Sequence, residues 1–333
     1  MPDLRFVNIY EQQRRNIRLT ILIMIVFILF FTLLGYGFDF FYFGNDPLGL
    51  VGESYGFPVA TFFALIFSSI FATYGLQSGA KAVLSSAGAF PVPESNPKYQ
   101  TLRNVVEEMK IASGLPMPKV YIIPDHDPNA FATGKNPDNS YIAVTEGLLE
   151  KLNREELQAV VAHEMSHIKN YDIRLMTIIA ALVGAIALLS DFAIRGMRFG
   201  GLSGGRKRSS RGGGSGGPIV IILFVIWIIG VILAPILSRL LAMAVSRRRE
   251  YLADASGAEL TRNPLALASA LEKIEKAAEP TKSIKRGSAH LCIVNPLGLK
   301  VNEREGSFAD LFATHPPISK RILALKSMAY QQL

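Results

Sequence analysis

The chain has 333 residues, half of them hydrophobic, with a formal net charge of +8 and a single cysteine, Cys292. The apolar residues gather in long blocks with the charges between them, the layout of an integral membrane protein with a soluble part. The basic excess shows no recognition module or aromatic-basic interleaving, which excludes nucleic acid as a partner, and a lone cysteine excludes an internal disulfide.

The first block, "LTILIMIVFILFFTLLGYGF" from Leu19 to Phe38, follows Arg14, Arg15 and Arg18. Its length suits one bilayer crossing of roughly 20 residues. It is longer than the core of a cleaved signal and no small-residue cleavage site follows, so it predicts an anchor. The second block runs from about Phe57 to Leu84. The loop between them holds Asp39, Asp46 and Glu53 and no Lys or Arg. The positive-inside rule then places the N-terminus and Lys81 in the cytoplasm and this loop outside. Residues 1–90 read as a membrane anchor, closed by the linker "PVPESNP" from Pro91 to Pro97.

A soluble stretch follows. Helical spacing links Leu102, Val105, Val106, Met109 and Ile111, and Gly114 stops the helix. Short strands are expected at Lys119 to Pro124, Asn129 to Gly134 and Ser140 to Leu149. Asn153, with Glu156 three residues on, predicts the capped start of another helix. Two further apolar blocks run from Leu175 to Ile194 and from Pro218 to Leu237. Their connector, "RGMRFGGLSGGRKRSSRGGGSGG", is Gly/Ser-rich and basic, the composition of a solvated flexible loop; attraction to anionic headgroups is the alternative. If both blocks cross, this loop lies outside, against the positive-inside rule; if neither crosses, they form a hairpin at the inner leaflet. Crossing is favoured because each block is long enough, and either arrangement returns the chain to the same side. The soluble part is thus expected in two pieces, residues 91–174 and 238–333, around a hydrophobic hairpin at 175–237. The class is α+β, mainly helical with a small sheet, anchored by about four membrane helices.

The stretch "VVAHEMSHIKNYD", Val160 to Asp172, sets three titratable groups in a helix whose apolar stripe runs through Leu157, Val160, Val161 and Ile168. Glu164 falls in the middle of that stripe, with His163 and His167 together on its flank. Burying an ionised carboxylate there costs several kcal/mol unless it is paired or serves a ligand. Two imidazoles one turn apart can hold a tetrahedral zinc, and the intervening glutamate can work on a water at the open position. Such a site needs a third protein ligand. Outside the motif the histidines are His126, His290 and His315. Among carboxylates, Glu250 in "RRREYLADASG" stands out, with Asp254 one turn on, placed to accept a hydrogen bond from a ligand imidazole. Charge pattern alone reads Glu250 as a surface carboxylate among Arg247, Arg248 and Arg249. The apolar "AHLCIV" predicts a buried structural thiol at Cys292.

The elements "PKVYII", "PNAFATG", "VTEGLL", "EELQAVVAHEMSHIKNYD", "REYLADASG" and "THPPISKRI", in this order, cover most of residues 100–325. Together they resemble the HtpX-type membrane zinc endopeptidases, relatives of the CAAX prenyl endopeptidases. The resemblance implies a zincin-like domain with one zinc held by His163, His167 and Glu250, Glu164 as general base and Asp254 as a supporting aspartate. It implies that His315 and Arg321 stand near the scissile carbonyl, where a donor stabilises an oxyanion. The "HPP" run by itself is an ordinary helix-initiating turn. The strand at Asn129, Ala130, Phe131 and Ala132 resembles one lining the family's cleft, where extended peptide adds by main-chain bonds; a simple hairpin is the plainer reading. The implied role is degradation of damaged or misfolded membrane proteins at the cell's inner membrane, with the catalytic part facing the cytoplasm. Processing of prenylated C-termini and a non-catalytic membrane scaffold are the competing readings.

Overall fold

The computed structural model describes residues 9–43, 45, 56–93, 96–199, 247–277, 283–284, 289–294 and 316–331. Within helices, side chains at 9, 42, 187–199, 247–248 and 331 are not described. The block at 218–237, the Gly-rich run of the connector and His315 lie outside the described residues. By contacts the chain divides into two compact units, residues 1–22 with 75–181 and 240–333, and residues 23–74 with 182–239.

Helix α1 runs Ile9–Phe38 and α2 runs Val59–Ser86. Two described helical stretches, Tyr10–Phe41 and Val59–Ser86, are long and apolar enough to cross a membrane. Leu33 is 66% exposed and Phe63 65%, which suits lipid and would be costly in water. In this second unit, Gly35 lies so close to Ala60 and Ala64 that a Cβ would stand 2.7 Å from the Ala60 carbonyl oxygen, the small-residue packing typical of membrane helices. A π-helical turn, Asp39–Phe43, ends α1. The buried Asp39 carboxylate accepts from the Ala60 and Thr61 amides and the Thr61 hydroxyl, satisfying free donors at the start of α2.

Helix α1 begins ten residues before its apolar block. Its early turns carry Gln12, Asn16 and Thr20, spaced four apart and all buried, so tertiary packing extends the helix beyond what hydropathy marks.

The first unit also holds the sheet and most of the remaining described helical residues. Strands β1 (Phe90–Pro91), β2 (Lys119–Ile123), β3 (Ala130–Asn136) and β4 (Asn139–Thr145) lie in the order β1-β2-β4-β3. β2 and β4 are parallel, with Val120 opposite Ile142; β3 and β4 form an antiparallel hairpin, with Phe131 opposite Ala143. Helix α3, Gln100–Ser113, ends as expected at Gly114, which takes a left-handed conformation with φ 69° and can do so without Cβ strain. The strand expected to reach Leu149 stops at Thr145. There the Thr145 hydroxyl accepts from the Leu148 amide and starts α4, Glu146–Lys151, a side-chain cap that outweighs the apolar run.

Helix α5, Arg154–Lys169, opens with the expected capping box between Asn153 and Glu156. It packs against β3, α3, α7 (Arg247–Thr261) and α8 (Pro264–Ala277). It is therefore buried on nearly every face, not along one stripe: Leu157 and Ala159 to Ile168 are all inaccessible. Each such large aliphatic side chain contributes roughly 1.5–3 kcal/mol. α6, Asp172–Phe199, contains the third apolar block. Its first turns, through Ile173, Leu175, Met176 and Ile178, are buried within this unit. The Thr177 hydroxyl meets Thr133 Oγ1 at 2.7 Å and accepts from the Gly134 amide. Helix α9, Ile318–Gln331, packs on α8.

Candidate metal centre

Two helices build the site. On α5, His163 and His167 are one turn apart, with ring centroids 4.8 Å from each other. On α7, Glu250 stands in the first turn, 2% exposed and far from the surface position its arginine neighbours imply. One ligand atom from each of His163, His167 and Glu250 lies within 4.8 Å of the other two. His163 Nε2 is 3.7 Å from Glu250 Oε2, and His167 Nε2 is 3.6 Å from Glu250 Oε1. These separations exceed a hydrogen bond. They approach the edge of about 3.3 Å that a tetrahedron with bonds of about 2.05 Å requires.

The other ring nitrogens face carboxylates. His163 Nδ1 is 3.0 Å from Asp254 Oδ1, and His167 Nδ1 is 3.0 Å from Asp172 Oδ2. That arrangement turns both Nε2 atoms inward, the orientation a metal ligand needs. His163 Nε2 is buried without a hydrogen-bond partner, as are both oxygens of Glu164. Orphaned buried atoms of this kind are costly unless a further group completes them. The donor set, the spacing and the orphans fit a divalent cation.

The electrostatics agree. Burial pushes the Glu164 carboxyl above its ordinary range, and the Glu250 charge adds to this against the two imidazoles. Burial opposes protonation of His167, but the Asp172 and Glu250 carboxylates outweigh it and raise its pKa to about 9. Burial would raise Asp254 as well, yet the Arg321 guanidinium holds it below the carboxylate range. Negative charge converges on the space between α5 and α7, where a cation is at home.

Arg321, on α9, is fully buried. Its Nε and Nη2 donate to the two oxygens of Asp254 at 2.8 and 2.7 Å, and Nη1 donates to the Ile293 carbonyl at 2.7 Å. Nη1 is also 3.3 Å from Glu250 Oε2. One guanidinium thus ties the carboxylates of Glu250 and Asp254 together. The Asn129 to Ala132 segment is buried beside α5, with the Ala132 amide facing Glu164. On β3, Phe131 bridges to Cys292, the Ile293 amide donates to the Ala130 carbonyl, and Asn129 Nδ2 donates to the Val294 carbonyl. Cys292 is buried, and burial raises its thiol pKa. His290 is bonded to the Met176 carbonyl, apart from the cluster.

Sequence reasoning missed Asp172. Its signal was an acidic residue placed just past the end of the motif helix. What brings it back is the turn at Tyr171, whose φ of 59° is uncommon for a residue with a side chain.

Residues 96–329 match Peptidase family M48. The chain is 43% identical over 321 residues to a protein named Protease HtpX homolog from Caldanaerobacter subterraneus subsp. tengcongensis, covering 96% of this chain and 98% of that one. It is 42% identical over 322 residues to the Thermoanaerobacter pseudethanolicus homolog, with coverage of 96% and 98%. A solved structure of S. mikatae Ste24p is 20% identical with a TM-score of 0.47, covering 90% of this chain and 62% of that longer one. The chain belongs to peptidase family M48, as a membrane-bound metalloprotease of the HtpX type.

Proposed function

We propose that the chain is a zinc-dependent endopeptidase whose metal is held by His163, His167 and Glu250. When bound, zinc supplies a Lewis acid that lowers the pKa of water and polarises a peptide carbonyl. Glu164 takes the proton of the attacking water and returns it to the leaving nitrogen. Burial raises its pKa above the ordinary carboxylate value, the direction that helps a carboxylate accept a proton. Asp254 and Asp172 hold the two imidazoles with Nε2 inward. Arg321 restrains Glu250 and Asp254, and His315 serves the developing oxyanion. Asn129 to Ala132, expected to take substrate by strand addition, are buried with that edge covered by Cys292 to Val294, so on this reading they support Glu164 from β3.

The natural substrates on this reading are damaged or misfolded membrane proteins, cleaved at the inner membrane by a catalytic part facing the cytoplasm. The charge asymmetry of the first loop supports that orientation. Residues 91–174 and 238–333 supply the protease, to which the buried first turns of α6 and the start of α1 add packing, and four apolar blocks anchor it. The observation that carries the reading is the convergence of three donor atoms beside the buried carboxylate of Glu164. A purely scaffolding protein has no use for so costly a charge.

The test is metal analysis and casein cleavage by the purified full chain and its Glu164→Gln variant. About one zinc per chain is expected in both, with cleavage only by the unaltered chain. Turnover by the variant removes Glu164 as base. Absence of metal, with stability indifferent to chelator, removes the metal centre and favours a scaffold.

A further inference from the structure

The carboxylate behind His167 is not free-standing. Asp172 is 1% exposed and its two oxygens are divided between different neighbours. Oδ2 faces the His167 ring, while Oδ1 accepts from Asn16 Nδ2 at 2.6 Å. Asn16 is likewise 1% exposed, and its amide also donates to the Asn170 carbonyl at 2.9 Å. Both hydrogens of a side-chain amide can be used in this way. Asn16 itself is fixed along α1, where Thr20 Oγ1 donates to its carbonyl. One turn earlier, Gln13 Nε2 donates to the Lys169 carbonyl at 2.7 Å. The start of α1 therefore binds the C-terminal end of the metal helix at two points, Lys169 and Asn170, and the first residue of α6 at a third, Asp172, the group that orients a ligand.

The chemistry of the contact is specific. A neutral amide holds one oxygen of Asp172 without cancelling the carboxylate charge, so the other oxygen keeps its pull on the imidazole. The nearest cation from α7, Arg249 Nε, is 3.9 Å from Oδ1, beyond hydrogen-bond reach. Without Asn16, Asp172 can rotate toward that buried guanidinium and leave His167 Nδ1.

We propose that Asn16 is a positioning residue for the metal centre, acting through Asp172 on His167, so that the start of the membrane helix is a working part of the site as well as an anchor. The inference rests on the assignment of His167 as a metal ligand.

The experiment measures zinc affinity of the full chain by chelator competition, alongside thermal unfolding, for Asn16→Ala, Asn16→Ser, Gln13→Ala, Asp172→Asn and the Asn16→Ala/Asp172→Asn double variant. Asn16→Ala is expected to weaken zinc binding about tenfold, the scale at which partners of ligand histidines act. Asn16→Ser, which keeps one donor, should fall between Ala and the unaltered chain, and it serves where Asn16→Ala does not fold. Gln13→Ala removes a tether that touches only backbone, so it should lower the unfolding temperature and leave zinc affinity unchanged. On the Asp172→Asn background the further loss from Asn16→Ala should vanish, because the two residues act in series. Zinc affinity equal in the Asn16 and Gln13 variants, or an Asn16 effect undiminished without the Asp172 carboxylate, overturns the proposal. Failure of the unaltered chain to bind zinc overturns the metal assignment instead, so the two failures are distinguishable.

Discussion

Gly257 offers a sharp test of how the two halves of the metal centre are held together. It lies two turns beyond Glu250 on α7, where that helix crosses α5. A Cβ built there would stand 3.0 Å from the His163 amide nitrogen, 3.1 Å from its Cα and 3.4 Å from the Ala162 carbonyl carbon. All three are backbone atoms of a buried helix and cannot swing aside, so Gly257→Ala must push the helices apart by a few tenths of an ångström. For folding the effect is modest. Overpacking costs about 1–3 kcal/mol, and replacing a helical glycine by alanine returns about 1 kcal/mol. The net loss is then at most about 2 kcal/mol, a fall of roughly 4–8 °C for a unit of this size. For the metal the same displacement is large, because ligand distances tolerate only about 0.2 Å. The expected result is a loss of zinc affinity of at least about tenfold, the scale seen when ligand geometry is disturbed, with casein cleavage falling alongside. Chelator competition on the purified full chain, with thermal unfolding in parallel, separates the two effects. Unchanged zinc affinity and activity in Gly257→Ala would refute the claim that helix separation sets the ligand geometry.

Arg321→Met leaves Asp254 and Glu250 buried beside each other without their shared guanidinium. Unfolding followed by intrinsic fluorescence should show a loss of about 3–5 kcal/mol. A fall in kcat with stability intact would instead assign Arg321 to the reaction and not to the framework. Glu156 supplies a pH dependence. Burial works against its charge, but the Lys273 ammonium, the Asn153 amide and the Ser269 hydroxyl outweigh that and hold its pKa below the ordinary value. Its contribution is therefore complete above the unfolded pKa of about 4.3 and is lost as pH falls through the lower folded value. Glu156→Gln should lower stability at neutral pH and flatten the acid limb of the stability profile; an acid limb unaltered in slope would sink this assignment.

Much of this protein is legible in one dimension because its signals are local. Hydropathy marks the two long apolar helices, since a bilayer crossing needs only length and composition. Asn153 with Glu156, and Gly114, mark helix ends by chemistry confined to one turn. The spacing of His163, Glu164 and His167 exposes the metal helix because residues four apart must share a face. Other features depend on where distant segments meet. The burial of Glu250 among three arginines, the passage of Arg321 between two carboxylates, and the return of Asp172 through a left-handed Tyr171 leave no periodic trace. The strand expected to reach Leu149 gave way to α4 because one threonine hydroxyl decided the matter. The role of Asn16 leaves no mark in hydropathy, because its partners Asn170 and Asp172 lie some 150 residues away. The sequence alone marked His163, Glu164 and His167 as candidates on one helix, because residue type and short-range spacing are written in it. Only the tertiary structure decided how those side chains are charged, aimed and braced, because burial and hydrogen bonding depend on neighbours that chain distance does not reveal.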